Sequence, residues 1–256
     1  MSDSITLTPI PGLPDVRAGD DVAALLLQAL RSAEMALQAG DVLAIAQKII
    51  SKAEGRAVNL ADVEPGGRAR KLAATTGKDP RLVELVLRES ERVSRTGPNL
   101  LIVRHRLGFT SANAGIDRSN VRQEGEAPTV LLLPEDPDAS AAALRQTLYE
   151  ETGVEVGVVI TDSHGRPFRM GAVGVALGVA GLPALWNRRG ERDLYGYELH
   201  ATDVGFADEI AAAAGLLMGQ AAEGTPAVLL RGLRWPPAAA GTARDLVRPK
   251  EKDLYG

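Results

Sequence analysis

The stretch VGVVITDSHGRPFRMG, residues 156–171, sets the terms on which the rest of the chain is read. Its first half is an apolar, β-branched run of the kind that forms a buried strand, and it breaks off at Thr161, Asp162, Ser163, His164 and Gly165, with Arg166 and Arg169 following. Such a strand delivers polar groups at its C-terminal end. A carboxylate beside a hydroxyl suits a hard divalent cation, and two nearby arginines suit phosphate or carboxylate oxygens in bidentate fashion. Asp-Ser-His-Gly is also ordinary turn chemistry, so a solvated turn explains the same residues, with His164 as an incidental member. Upstream, NAGIDRSN at 113–120 places Asp117 among small and amide residues in the same way.

Composition narrows the chemistry. A chain of 256 residues buries roughly 70–75% of its unfolded surface, enough for one large domain or two lobes without disulfides. With 45% hydrophobic and 24% charged residues it reads as an ordinary globule. Cysteine is absent, which removes thiolate nucleophiles and thiolate metal sites and leaves oxygen donors or three histidines for any metal. The balance of 29 basic and 33 acidic residues gives a formal charge of −4, and no Lys/Arg block follows a phosphodiester track, so no nucleic-acid partner is expected. The start, MSDSITLTPIPG, lacks a basic segment followed by an apolar core, and the Gly-rich run 171–186 is shorter than the ~20 residues of a membrane span. A cytoplasmic protein without membrane partners is the expectation.

Read in order, Ile5–Pro9 is a strand and Asp20 or Asp21 caps a helix with Val22, Leu25, Leu26, Ala29 and Leu30 on one face, ending at Gly40-Asp41. Val42–Ala46 is a buried strand. In the segment after it, Lys48 and Lys52 stand four apart, so a helix would project both ammonium groups the same way, as a solvated basic face or as something more. Helices are expected at 65–76 and 80–93, the second with Asp79 as cap and Pro80 in its first turn. Strands follow at 100–106 and 130–134, with a small-residue loop at 108–120 between them. A helix then runs from Asp136 to Glu151, stopped by Gly153. Ala172–Leu182 spaces glycines like a tightly packed strand, and 188–197 reads as a loop. Ala207–Gly219 is an Ala-rich helix with Asp208 and Glu209 in its first turn, Ala227–Arg231 is a last strand, and 236–256 reads as a loosely held tail in which DLYG, seen at 193, recurs at 253. Strands and helices without regular βαβ alternation point to an α+β fold.

Nine segments taken together resemble one family: GLPDVRAGDD (12–21), IISKAEGR (49–56), LVELVLRESERV (82–93), NAGIDRSNV (113–121), LLLPEDPDASA (131–141), ITDSHGRPFRMG (160–171), DLYGYEL (193–199), ADEIAAAAGLLMG (207–219) and PAVLLRGL (226–233). In order and over nearly the whole chain, they resemble the coenzyme F420-0:γ-glutamyl ligases. The resemblance implies a GTP-dependent ligase adding L-glutamate to coenzyme F420-0, or its dehydro form, with further γ-linked glutamates. It also implies a two-lobed, intertwined homodimer, Mg²⁺ or Mn²⁺ ions, two of them expected, and a potassium ion. Residues 1–235 would form the catalytic domain and 236–256 the tail at which longer actinobacterial relatives continue into a nitroreductase-like domain, so that second activity is expected to be missing.

Carried over by position, the resemblance places Leu13, Pro14, Asp15, Val16, Gln47, Lys48 and Lys52 at the nucleotide, with Asn120 and the loop Met218, Gly219, Gln220, Ala221, Ala222, Glu223, Gly224 and Thr225. Asp117 and Asp162 match carboxylate metal ligands. Ser163 stands where Thr is commoner, and Gln220 where some members have Glu; the first keeps a hydroxyl, the second removes a charge and weakens metal binding.

The chemistry gives these residue types a reason. Transfer of the γ-phosphoryl group of GTP to a carboxylate makes an acyl phosphate that the glutamate amine can attack, but two anions must first approach. At ~4 Å and an effective dielectric of ~20 a like pair costs ~4 kcal/mol. Divalent cations between Asp117, Asp162 and the phosphates offset that repulsion. Lys48 or Lys52 adds a point charge at the phosphates, and Arg166 and Arg169 are candidates for the acceptor's carboxylate or phosphodiester, or for structural ion pairs. Asp193 and Tyr195 either shape the acceptor pocket or support the fold. A metal-dependent phosphohydrolase and a noncatalytic nucleotide-binding module are the alternatives.

Overall fold

A computed structural model describes residues 4–123, 125–236 and 240–252. In chain order its elements are β1 (Thr6–Pro9), α1 (Val22–Ser32), β2 (Val42–Ala46), α2 (Gln47–Ala53), β3 (Ala57–Asn59), α3 (Gly67–Thr76), α4 (Pro80–Arg88), β4 (Ser90–Gly97), β5 (Leu100–His105) and β6 (Thr110–Ala112). There follow β7 (Thr129–Leu131), α5 (Pro137–Thr152), β8 (Gly157–Arg166), β9 (Arg169–Ala180), β10 (Trp186–Asn187), β11 (Asp203–Val204), α6 (Phe206–Met218) and β12 (Ala227–Arg231). The fold is mixed α+β. Among the described residues no helix is long and apolar enough to cross a membrane.

The central sheet has the order β1-β12-β2-β8-β9, with β2 and β8 parallel and every other neighbouring pair antiparallel. Alternate residues of its strands feed two cores. Leu43, Ile45, Val158, Ile160 and Leu229 pack with α1, α2 and α5, while Val42, Ala44, Val159, Val228 and Leu230 pack with α6. Covered on both faces, these strands cannot alternate apolar with polar, and that is why VLAIA, VVI and AVLL are continuous hydrophobic runs. Two smaller cores lie among residues 58–132: one joins α3, α4 and β5, the other joins β7 to Leu60, Val63 and Leu85. Glu89 ties this region to Arg56 in the connection after α2. It accepts from Arg56 Nη2 at 2.9 Å and Arg106 Nε at 3.0 Å, with His105 Nε2 at 3.6 Å.

Several sequence expectations are corrected. The DSHG segment is not a turn: β8 runs through it to Arg166 and pairs with β9 as far as Arg166↔Arg169, with bulges after Ile160 and Gly165. The reversal falls at Pro167-Phe168, where Phe168 has φ 59°. Turn propensity at Asp-Ser-His-Gly loses to the ladder with β9, which pairs residue by residue with the segment. The helix expected at 80–93 ends at Arg88, because Glu89 is held by the two arginines and the stretch beyond it, SERVSRTG, pairs with β5. Helix α1 stops at Ser32, well before Gly40, where Glu34 turns the chain with φ 55°. The loop expected at 108–120 contains β6. The described part of the tail is anchored around residues 241–243, though many of its residues are exposed. Gly241 N–H bonds Leu182 O at 3.1 Å, Ala243 N–H bonds Asp138 Oδ1 at 2.8 Å, and Ala243 is buried. The second DLYG lies outside the described residues.

Candidate functional site

In the parallel pair, Ala46 stands opposite Thr161, so both strands end on the same side of the sheet. The chain leaves β2 into α2, carrying Gln47, Lys48 and Lys52, while β8 runs on into Asp162 and Ser163. In open sheets, ligand sites form in this crevice outside the carboxyl ends of strands. Here it is a cleft of about 540 Å³.

Three further segments complete it. Leu13–Val16 comes from the connection after β1; Asp117, Ser119 and Asn120 from the segment before β7; and Met218–Thr225 from the loop after α6. The cleft thus brings together Asp117, Asp162, Ser163, Gln220 and every residue expected at the nucleotide. It does not include Arg166 or Arg169. Those sit at the hairpin tip, where Arg166 Nη2 donates to Met170 O at 3.3 Å and Gly171 O at 3.4 Å.

Each side chain is held by a local device. Asp117 is fixed by a backbone bridge to Leu131, and its Oδ1 accepts from the N–H groups of Arg118 at 2.6 Å and Ser119 at 2.8 Å. Its Oδ2 accepts from Ser119 Oγ and lies 2.6 Å from Lys48 Nζ, which also donates to Ser119 O. Burial pushes the Asp117 carboxyl up, but the Lys48 ammonium and the Ser119 donors outweigh it and hold the group below its ordinary value. The four-residue spacing of the lysines does aim them alike: Lys52 reaches Asp15 at 2.9 Å, and Arg122 reaches the other oxygen of Asp15 at 2.7 Å. Those two hydrogen bonds lower the Asp15 carboxyl to about 2.

The loop after α6 is stitched to both sides of the cleft. Asn120 Nδ2 donates to Ala221 O at 2.9 Å and Ser163 Oγ to Gln220 Oε1 at 2.9 Å, while Glu223 folds back to accept from Ala221 N–H at 2.7 Å. Gly219 starts the loop at φ 69°, ψ −168°, a region open essentially to glycine, and a Cβ there would lie 2.1 Å from Glu223 Cδ. Helix α6 reaches the cleft because it rests directly on β9: a Cβ at Gly174 would lie 2.3 Å from Ala211 O.

Sequence reasoning missed two participants. Ser119 is the hydroxyl joining Lys48 to Asp117, and the signal was its place two residues after the aspartate, an Asx-turn spacing. His164 is not incidental: its Nε2 lies 3.1 Å from Asp162 Oδ2, and its ring is tilted against Phe109 with centroids 5.0 Å apart. The i,i+2 spacing on a strand, which puts both side chains on one face, was legible only once the turn reading was abandoned.

The expected metal ligands that line the cleft offer oxygen donors, the Asp117 and Asp162 carboxylates with the Ser163 hydroxyl and the Gln220 amide, which suits a hard cation. The Lys48 ammonium seated on Asp117 is a positive stand-in at that carboxylate. Among the described residues no three His, Cys, Asp or Glu side chains cluster as a metal cage, so any cation here depends on phosphate or water oxygens for the rest of its shell.

The sequence profile of the family described as F420-0:gamma-glutamyl ligase matches residues 12–232. Similar proteins include the coenzyme F420:L-glutamate ligases of Methanothermobacter thermautotrophicus, 49% identical over 252 residues and 98% of each chain, and Methanopyrus kandleri, 50% identical over 258 residues and 98% of each. That of Archaeoglobus fulgidus is 44% identical over 250 residues, covering 98% of this chain and 96% of its own.

Proposed function

The chain belongs to the F420-0:γ-glutamyl ligase family, and from that premise we propose that it is a GTP-dependent ligase joining L-glutamate to coenzyme F420-0 or its dehydro form. One observation carries the reading at the level of residues: Lys48, Asp117 and Asp162, far apart in sequence, line one cleft at the carboxyl ends of β2 and β8, together with Leu13–Val16 and the 218–225 loop that the resemblance assigns to the nucleotide.

In this proposal the triphosphate lies along α2 and the 218–225 loop, with Lys48 and Lys52 as point charges beside its phosphates. The acceptor carboxylate attacks the γ-phosphorus, GDP leaves, and the resulting acyl phosphate is opened by the glutamate amine with release of phosphate. The protein's part is alignment and charge balance. Asp117, Asp162, Ser163 and Gln220 would hold Mg²⁺ or Mn²⁺, which supplies charge neutralisation of phosphoryl oxygens when bound. His164 keeps Asp162 oriented. A potassium ion is carried in the same proposal on the family resemblance alone.

A two-lobed, intertwined homodimer also belongs to the proposal. Its support is the exposure of large apolar side chains on two projections, Phe168 and Met170 at the hairpin tip and Leu194 and Tyr195 in the loop between β10 and β11, all at least 91% exposed. Arg166 and Arg169 on that tip are acceptor contacts only if a second copy carries them over the cleft.

The test is a mass-spectrometric assay with GTP, Mn²⁺, L-glutamate and F420-0. The expected result is a product heavier by one or more glutamates, with stoichiometric GDP and phosphate. GDP release that is indifferent to the deazaflavin would instead identify a phosphohydrolase.

A further inference from the structure

A second cavity, of about 310 Å³, lies along the same stripe of α6 as the cleft. Asp208 lines this cavity, and Ala211, Gly215 and Met218 line the cleft. Spacings of three, four and three residues put all four on one face of the helix. The two hollows are therefore consecutive along α6. His164 joins them: its ring lines the second cavity while its Nε2 contacts Asp162 in the cleft at 3.1 Å.

The polar groups of this cavity fall into two sets. Guanidinium groups come from Arg104 on β5 and from Arg244 and Arg248 in the C-terminal segment. Carboxylates come from the starts of α5 and α6. Asp138 is spent on the fold, accepting from the N–H groups of Val179 and Ala243, each at 2.8 Å. Asp208 is not. One oxygen accepts from Ala176 N–H at 2.8 Å, and among the described residues no cation forms a salt bridge with it. Burial pushes the Asp208 carboxyl above its ordinary value, outweighing the Ala176 N–H and the nearby His164, which lower it.

The arginines have capacity of the opposite kind. Arg104 forms a salt bridge with the half-exposed Glu91, Nε to Oε2 at 3.2 Å, but its buried Nε makes no hydrogen bond. The Arg244 guanidinium pairs with none of the described residues.

A small molecule carrying one ammonium and two carboxylates would satisfy both sets. A cavity near the lower end of the ~300–1,000 Å³ range of ligand pockets admits an amino acid but not a nucleotide or a deazaflavin. We propose that the cavity between Arg104, Arg244 and Asp208 binds the incoming L-glutamate, its ammonium on the Asp208 side beside His164 and its carboxylates on the guanidinium groups. This inference rests on the ligase reading and adds where the nucleophile waits: next to the cleft, with the amine at the end nearest Asp162.

The experiment uses the full chain. Ligation is followed with GTP, Mn²⁺ and F420-0 while L-glutamate is varied, and again with hydroxylamine replacing glutamate, which traps an acyl phosphate as the hydroxamate. Arg244→Ala, at an exposed position, and Asp208→Asn, which keeps an acceptor for Ala176 N–H, are each expected to raise the KM for L-glutamate about 10- to 100-fold, the cost of one charge-assisted hydrogen bond. KM for GTP and the hydroxamate yield are expected to hold. Calorimetric titration of L-glutamate into the protein should weaken by the same factor, and glutarate, which lacks the amine, should bind the unaltered chain more weakly than glutamate does. An unchanged glutamate KM in both variants overturns the proposal, and so does a parallel fall in hydroxamate, which would place these residues in carboxylate activation. If the unaltered chain shows no GTP-dependent ligation, it is the ligase reading that fails, and the titrations with L-glutamate then decide this site by themselves.

Discussion

Replacing Glu89 by Gln tests the junction between the connection after α2 and the 58–132 region. Glu89 and Arg56 side chains are only 11% and 17% exposed, so solvent screens their pairing little. Burial raises the Glu89 carboxyl, but His105, Arg56 and Arg106 together lower it from its ordinary 4.5 to about 2. At about 1.4 kcal/mol per pH unit, that depression contributes about 3 kcal/mol of stability at neutral pH. The sign follows from the depressed value: the contribution is complete above the unfolded pKa near 4.5 and is lost as pH falls towards 2. Glutamine mimics the protonated acid, so Glu89→Gln should cost about 3 kcal/mol at pH 7 and progressively less below pH 4.5. Urea unfolding followed by far-UV circular dichroism from pH 7 down to pH 3 measures the difference directly. A cost that stays constant across that range, or one under about 1 kcal/mol at pH 7, would refute the reasoning, because neither is compatible with a carboxylate held ionised by two guanidinium groups.

Three further outcomes follow from the cleft. Asp162→Asn is expected to lower ligation about 100-fold or more while leaving the circular dichroism spectrum intact, since loss of the proposed metal ligand should exceed the about 10- to 100-fold typical of an outer-shell partner. Gly219→Ala should destabilise by about 1–3 kcal/mol, because alanine cannot hold φ 69°, ψ −168°, and should raise the KM for GTP more than it lowers kcat; a melting curve and a GTP titration check both. Gln220→Glu, which keeps an acceptor for Ser163 Oγ and adds a charge to the cleft, should lower the Mn²⁺ concentration for half-maximal activity by about tenfold; an unchanged metal titration would show that this position does not face the cation.

Much of the scaffold was legible from local pattern. Continuous apolar runs marked β2, β8 and β12 because burial on both faces leaves no polar face to alternate with. The cap at Asp79, the choice of Asp20 or Asp21, the start at Asp136 and the stop at Gly153 placed helix ends, since side-chain acceptors and the left-handed φ of 70° act within a few residues; the structure settles the first cap on Asp21. Where local preference competed with distant pairing it misled. Asp-Ser-His-Gly prefers a turn and lies in a strand because β9 pairs with it, and the helical pattern past Arg88 gave way to β4 because β5 lies alongside.

By itself the sequence determined the α+β class, the family and the residue types of the candidate site, all of which depend on near neighbours or on motif order along the chain. Only the tertiary structure decided that β2 and β8 run parallel, so that Lys48, Asp117 and Asp162 share a cleft, and that Arg166 and Arg169 lie at a hairpin tip outside it. It alone set His164 against Asp162 and left Asp208, among the described residues, lining a second cavity with no salt bridge to it. The physical reason is that sheet register and helix packing join residues dozens of positions apart, and one strand's side chains take their partners from whichever strand and helix come to lie beside it.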